Sequence, residues 1–176
     1  LLRAAARLQA RGRWVDAALA TLRFADQAAA RCLLAHGATT CAVLGEVGLA
    51  EHLLALCQDS KVAAELFLDN LPWLAGAAET AAALRCGPLS ASASRLSLQE
   101  RVAEHVAYPL LYLPSIAGGL LASVPAANAD ACLAELQVLG YVQASAIGRC
   151  LPVNDPARPI RVSIAGGRPN DSAGQH

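Results

Sequence analysis

The spacing of apolar positions divides the chain into helical and extended stretches that alternate. Trp14, Ala18, Leu22, Ala25, Ala29 and Leu33 recur at helical intervals, and Gly37 follows as a natural helix stop. One long amphipathic helix is therefore predicted from Trp14 onward. Residues 39–44 have strand chemistry, and Leu49, Leu53 and Leu56 share one face of a second helix over 49–57. Val62, Ala64, Leu66 and Leu68 sit at period two, the mark of a half-buried strand. Asp69-Asn70-Leu71-Pro72 forms a turn ahead of an alanine-rich helix over 75–84. Residues 86–94 are a Gly/Pro/Ser loop, the segment expected to be flexible. Ser97-Leu98-Gln99-Glu100 fits a capping box opening a short helix to Val106.

The stretch from Tyr108 to Val124 organises the rest. Two apolar runs, 110–113 and 120–124, flank a Pro-Ser-Ile-Ala-Gly-Gly centre, and each is short enough for a buried strand. Gly118 and Gly119 carry no Cβ, so either another backbone segment or a bound anion or nucleotide can lie against them. Pro125 then starts a helix that runs through Leu139 and stops at Gly140. Strands over 141–151 and 160–164 complete the set, joined by a Pro/Asn/Asp loop. The alternation implies an α/β (α+β) domain with a mixed sheet. It divides into an N-terminal segment (1–12), the domain proper (13–164) and a Gly/Pro/Asn/Ser tail (165–176) expected to be disordered.

Composition narrows the partners. Fourteen basic residues balance fourteen acidic ones, and no basic run exists to attract nucleic acid or an anionic membrane. Charged or polar side chains interrupt every window near 18 residues, so no transmembrane helix is expected. Arg3 and Arg7 precede no apolar core or cleavage site, which argues against a signal peptide and for a cytoplasmic location. The chain contains no methionine, even at position 1, so it is expected to be part of a longer protein. With 55% hydrophobic residues and 16% charged, it has apolar surface for an upstream domain to cover.

Candidate chemistry is sparse. The six cysteines (Cys32, Cys41, Cys57, Cys86, Cys132, Cys150) include no C-x-x-C pair, so they read as small buried residues rather than zinc ligands or a disulfide framework. His36, His52, His105 and His176 read as surface or capping residues, and no Ser or Cys is marked as a nucleophile beside them. Asp155 and Glu46 alone among the acids fall in loops at element ends. No catalytic residue and no metal ligand is assigned. Gly45-x-x-Gly48 runs from a strand into a helix N-terminus, where backbone N–H groups and the helix dipole favour an anion, although Glu46 brings a negative charge there. The candidate binding residues are Gly45, Gly48, Gly118 and Gly119.

Six pieces of the chain, in order, resemble the second half of the selenide, water dikinase (selenophosphate synthetase) family. They are Gly12-Arg13-Trp14-Val15-Asp16, His36-Gly37-Ala38, Cys41 to Leu49, His52-Leu53-Leu54, Leu113-Pro114-Ser115-Ile116-Ala117-Gly118-Gly119-Leu120-Leu121 and Ala146-Ile147-Gly148-Arg149. The wider superfamily includes aminoimidazole ribonucleotide synthetase, thiamine-phosphate kinase and a hydrogenase maturation factor. The resemblance implies a three-layer α/β/α domain that covers a nucleotide site. It also implies ATP and Mg2+ as cofactors, formation of selenophosphate from selenide and water, and a homodimer. The family's reactive Cys or selenocysteine, glycine-rich loop and essential lysine belong to an N-terminal domain that this chain lacks.

The departures from the family pattern fall on polar positions. Val43 stands where the family has a metal-binding aspartate, and a valine offers a hard cation no oxygen. The family's Thr-Gly-Phe is Gly45-Glu46-Val47, an asparagine late in its first helix is Asp26, and the glycine before His52 is Glu51. Its Asp-Pro-Gln-Thr-Ser-Gly-Gly keeps only the proline and glycines in Leu113 to Gly119. Two readings follow: the C-terminal domain of an ATP-dependent phosphotransferase, inactive as an isolated chain, or a non-catalytic relative serving as a dimerisation or scaffold domain. A third, an independent small-ligand-binding domain, rests on the glycine turns alone.

Overall fold

A computed structural model of the chain describes residues 11–22, 25–83, 91–113 and 119–165. Helix α1 (Gly12–Thr21) buries no residue, and the Arg11 guanidinium lies over its Trp14 ring at 5.1 Å. Helix α2 (Asp26–Ala35) buries Ala29, Cys32 and Leu33, the i, i+3, i+4 face of a packed helix. The single long helix expected from Trp14 is thus two, because Ala25 is extended (φ −87°, ψ 129°). A distant side chain caps the second. The Tyr141 hydroxyl donates to the Ala25 carbonyl (2.6 Å) and accepts from the Ala29 N–H (3.3 Å), bridging the two groups of the helix's first i→i−4 step.

Strand β1 (Thr40–Val43) leads into helix α3 (Gly48–Ser60), followed by β2 (Ala63–Phe67) and helix α4 (Ala77–Ala83). β3 (Leu96–Leu98), β4 (Leu120–Ser123), helix α5 (Ala126–Val138), β5 (Gly148–Leu151) and β6 (Ile160–Ser163) complete the regular elements. Four strands form one mixed sheet in the order β3-β6-β2-β5, parallel except for β5. β1 and β4 form a separate antiparallel pair. The α/β class with a mixed sheet is as the sequence implies. Among the described residues no helix is long and apolar enough to cross a membrane.

Long-range pairing overrides local pattern in four places. β2 is not half-buried: Ala64, Glu65, Leu66 and Phe67 are all buried, as befits a strand with neighbours on both edges and cover on both faces. Its one charge, Glu65, is held by Arg149 Nε (2.8 Å) and Nη2 (2.7 Å). The capping box at Ser97 does not form. Leu96–Leu98 is instead an edge strand on β6, extended by the Gln99 N–H to the Val162 carbonyl at 2.9 Å. The run 110–113 is not a strand either. Tyr108–Tyr112 is a 3₁₀ helix in which Pro109 needs no donor, and the Tyr108 and Tyr112 rings meet edge to face at 5.4 Å with their hydroxyls 2.9 Å apart. Finally, β5 begins only at Gly148, with the Ile147 carbonyl accepting from the Phe67 N–H (2.9 Å), because residues 141–146 are drawn off into loop contacts. Tyr141 caps α2, Ser145 Oγ donates to the Asn70 carbonyl, and Asn70 Nδ2 donates to the Ala146 carbonyl. The centre of the organising turn (114–118), most of the loop expected to be flexible (86–90) and nearly all of the tail (166–176) lie outside the described residues.

Two cores share strand β4. The larger one gathers Leu54 and Cys57 of α3, Leu66 of β2, Leu111, Val102, Ile160 and Val162, the last three with 0% exposure. The smaller joins Cys32 and Leu33 of α2 to Cys132 and Leu136 of α5. Leu121 points into the first, while Leu120 and Ala122 pack on the second, as alternation along a strand requires.

Candidate functional site

The β1–β4 pair places the predicted glycines at one end. Val43 opposes Leu120, and beyond them the Leu44 N–H donates to the Gly119 carbonyl at 3.0 Å. The turn after β1 and the residue before β4 therefore leave the sheet together. Gly118 lies outside the described residues.

The turn closes through the Gly48 N–H to the Gly45 carbonyl at 3.4 Å. The Gly45 N–H donates to His52 Nε2 at 3.0 Å, so that nitrogen carries a lone pair and the ring's proton sits on Nδ1. Of the surface and capping roles expected for the histidines, His52 has one of the capping kind, since it accepts a loop N–H just ahead of α3. The signal for its role is its position four residues past Gly48, which puts it over the first turn of α3 and facing the loop.

Gly48 and Gly119 are glycine for different reasons. Gly48 is buried with φ +82°, and a Cβ there would stand 3.0–3.1 Å from the backbone of Leu111, Tyr112 and Leu113. Of the two occupants weighed for such glycines, this one is packed against backbone. At Gly119 a Cβ would meet nothing within 4 Å. Among the described residues, the exposed side chains of the β1–α3 turn are apolar or acidic. Val43 is 58% exposed and Val47 53%, Glu46 is exposed, and Glu51 lies in the first turn of α3, which has no side-chain cap.

This end offers the N-terminus of α3 and the His52 imidazole that accepts from the Gly45 N–H. It has no side-chain oxygen at position 43, so Mg2+ does not fit there. Glu46 and Glu51 offset the helix dipole that would otherwise draw a phosphate. The arrangement suits contact through the backbone and supplies no acid–base pair.

The other candidate residues have structural duties. Asp155 Oδ1 accepts from the Ala157 and Arg158 N–H groups (2.9 and 3.3 Å), tying the β5–β6 loop. His105 Nδ1 accepts from the Ala107 N–H (3.2 Å), with Nε2 3.4 Å from Asp69. His36 Nε2 lies 2.8 Å from Glu135 Oε2. Cys41 and Cys150 are exposed, contrary to the expectation of buried thiols, whereas Cys32, Cys57 and Cys132 meet it. Burial pushes the Cys57 thiol up to about 11, and burial with the nearby Asp26 raises Cys41, so neither is activated as a nucleophile.

Residues 8–157 match the family model described as AIR synthase related protein, C-terminal domain. No curated protein matches the chain.

Proposed function

The chain belongs to the AIR synthase related, C-terminal domain family, and from that premise we propose that it is the C-terminal domain of a selenophosphate synthetase-like, ATP-dependent phosphotransferase. In this reading an upstream domain supplies the nucleotide-binding machinery, the full-length protein is a homodimer, and the isolated chain does not turn over ATP. The observation that carries it is the meeting of the Gly45-x-x-Gly48 turn and Gly119 at one end of β1–β4, in the order in which the resembling motifs occur. Exposed Val43 and Val47 at that end support it too, since an overlying domain would cover them.

A second reading, a non-catalytic relative that uses the fold for dimerisation or as a scaffold, is favoured by the side chains themselves. Val43 replaces a metal ligand, and Glu46 and Glu51 oppose an anion. The described residues at this end do not fit Mg2+, since Val43 has no oxygen to give it.

The test is expression of the natural gene product, including whatever precedes Leu1, with selenophosphate followed by phosphorus NMR. Selenide-dependent ATP consumption supports the phosphotransferase. Its absence, together with a stable dimer, supports the scaffold. Val43→Asp in that protein separates a disabled site from a dismantled one: a gain of magnesium-dependent nucleotide binding marks a site that lacks only its ligand.

A further inference from the structure

Helix α2 carries Cys32 and His36 four residues apart, and α5 carries Cys132 and Glu135 three apart. Those intervals stack each pair on one helix face. The two helices pack against each other through Cys32, Leu33, Cys132 and Leu136, and His36 meets Glu135 at the edge of that seam. The Cys32 sulfur, a His36 ring nitrogen and a Glu135 carboxylate oxygen all lie within 4.8 Å of one another. Cys32 Sγ is 3.8 Å from the Cys132 carbonyl oxygen.

We propose that this seam is a metal site for a borderline-soft divalent cation of the zinc class, with Cys32, His36 and Glu135 as the protein ligands and water in the fourth position. The donor set decides the class of ion. Sulfur and imidazole select zinc-like metals over magnesium or calcium, and three protein donors with one water suit a tetrahedron. With metal–ligand bonds of 2.0–2.3 Å, the edges of such a tetrahedron are about 3.3–3.8 Å. The 2.8 Å contact between His36 and Glu135 must therefore open by about half an ångström, and the wider separations must close by about one. Glu135, with half its side chain exposed, can make most of that adjustment by a change of rotamer.

The surroundings fit a site loaded from solvent. Cys32 and Cys132 are each 3% exposed and form the dry floor, while His36 and Glu135 form the rim. The Asn128 amide donates to the His36 carbonyl at 3.0 Å and fixes the end of α2 that presents the imidazole. On binding, Cys32 gives up its proton to buffer and coordinates as thiolate. The inference stands apart from the phosphotransferase reading, since it uses none of the residues at the glycine end.

The test is titration of the reduced 176-residue chain with Co2+, then displacement by Zn2+. One equivalent is expected to produce a thiolate-to-cobalt charge-transfer band and the visible bands of tetrahedral cobalt. Cys32→Ser and His36→Asn should lose that spectrum. Glu135→Gln, at an exposed position with little effect on folding, should bind at least about tenfold more weakly, the minimum cost even for groups that only support a ligand. A Cys41→Ser/Cys150→Ser double variant, which removes the exposed thiols, should match the native chain. No band in the native chain overturns the proposal, as does an unchanged band and affinity in Cys32→Ser or Glu135→Gln. Far-UV circular dichroism of each variant distinguishes a lost ligand from a lost fold.

Discussion

The glycine end of β1–β4 and the seam between α2 and α5 make opposite use of the same chain. At the first, backbone geometry is kept and polar side chains are missing: Gly48 threads past Leu111–Leu113, while Val43 faces solvent. At the second, no metal-ligand spacing advertises a site, yet sulfur, nitrogen and oxygen donors converge within 4.8 Å. The contrast teaches that a recognisable motif and a chemically equipped site need not coincide. Backbone signatures persist because the fold needs them, and donor clusters arise wherever two helix faces happen to align.

The comparison is most exposed at Gly48. Gly48→Ala forces a Cβ into neighbouring backbone at positive φ, and urea unfolding should show a loss of about 2–4 kcal/mol. A neutral result would mean that Gly48 is kept for a ligand and not for packing. Next is Tyr141→Phe, which leaves the Ala29 N–H and Ala25 carbonyl without the hydroxyl that joins them. It should cost about 1–2 kcal/mol. If the seam is a metal site, cobalt affinity should fall in this variant as well, because the cap fixes where α2 begins. Val43→Asp, at an exposed strand position, should change stability by about 0.5–1 kcal/mol, measured by thermal unfolding. Gly119→Ala is the smallest, within about 0.5 kcal/mol, since a Cβ there meets nothing. A nucleotide-binding defect in Gly119→Ala with unchanged stability would restore that glycine as a contact residue.

Much of the fold was legible because its signals are local. Gly140 ends α5 with φ 96°, and Gly37 follows α2 with φ 80°, as sequence spacing alone suggests. β1, β4 and β6 fall within the expected runs. The failures share one cause: a partner far away in sequence. Ser97 reads as a cap until β6 offers it an edge, and the Trp14 helix reads as continuous until Tyr141 reaches Ala25. Period two in β2 hides a strand covered on both faces. At the glycine end, Gly45, Gly48 and Gly119 were visible and their meeting was not, because it depends on a β1–β4 register that no local pattern encodes. The seam was invisible for the same reason: reading cysteines by C-x-x-C spacing cannot register donors that converge from separate helices.

The Tyr141 cap also has a consequence in time. It binds Ala25 across 116 residues, and the His36–Glu135 contact spans 99. On a ribosome adding roughly 5–20 residues per second, α2 waits about 6–23 s for the hydroxyl that fixes its start. Through most of that interval Cys32 and His36 have emerged and Cys132 has not. The nascent chain thus carries an unsheltered thiol one helical turn from an imidazole, and the order of synthesis, more than the finished fold, decides what that thiol meets first.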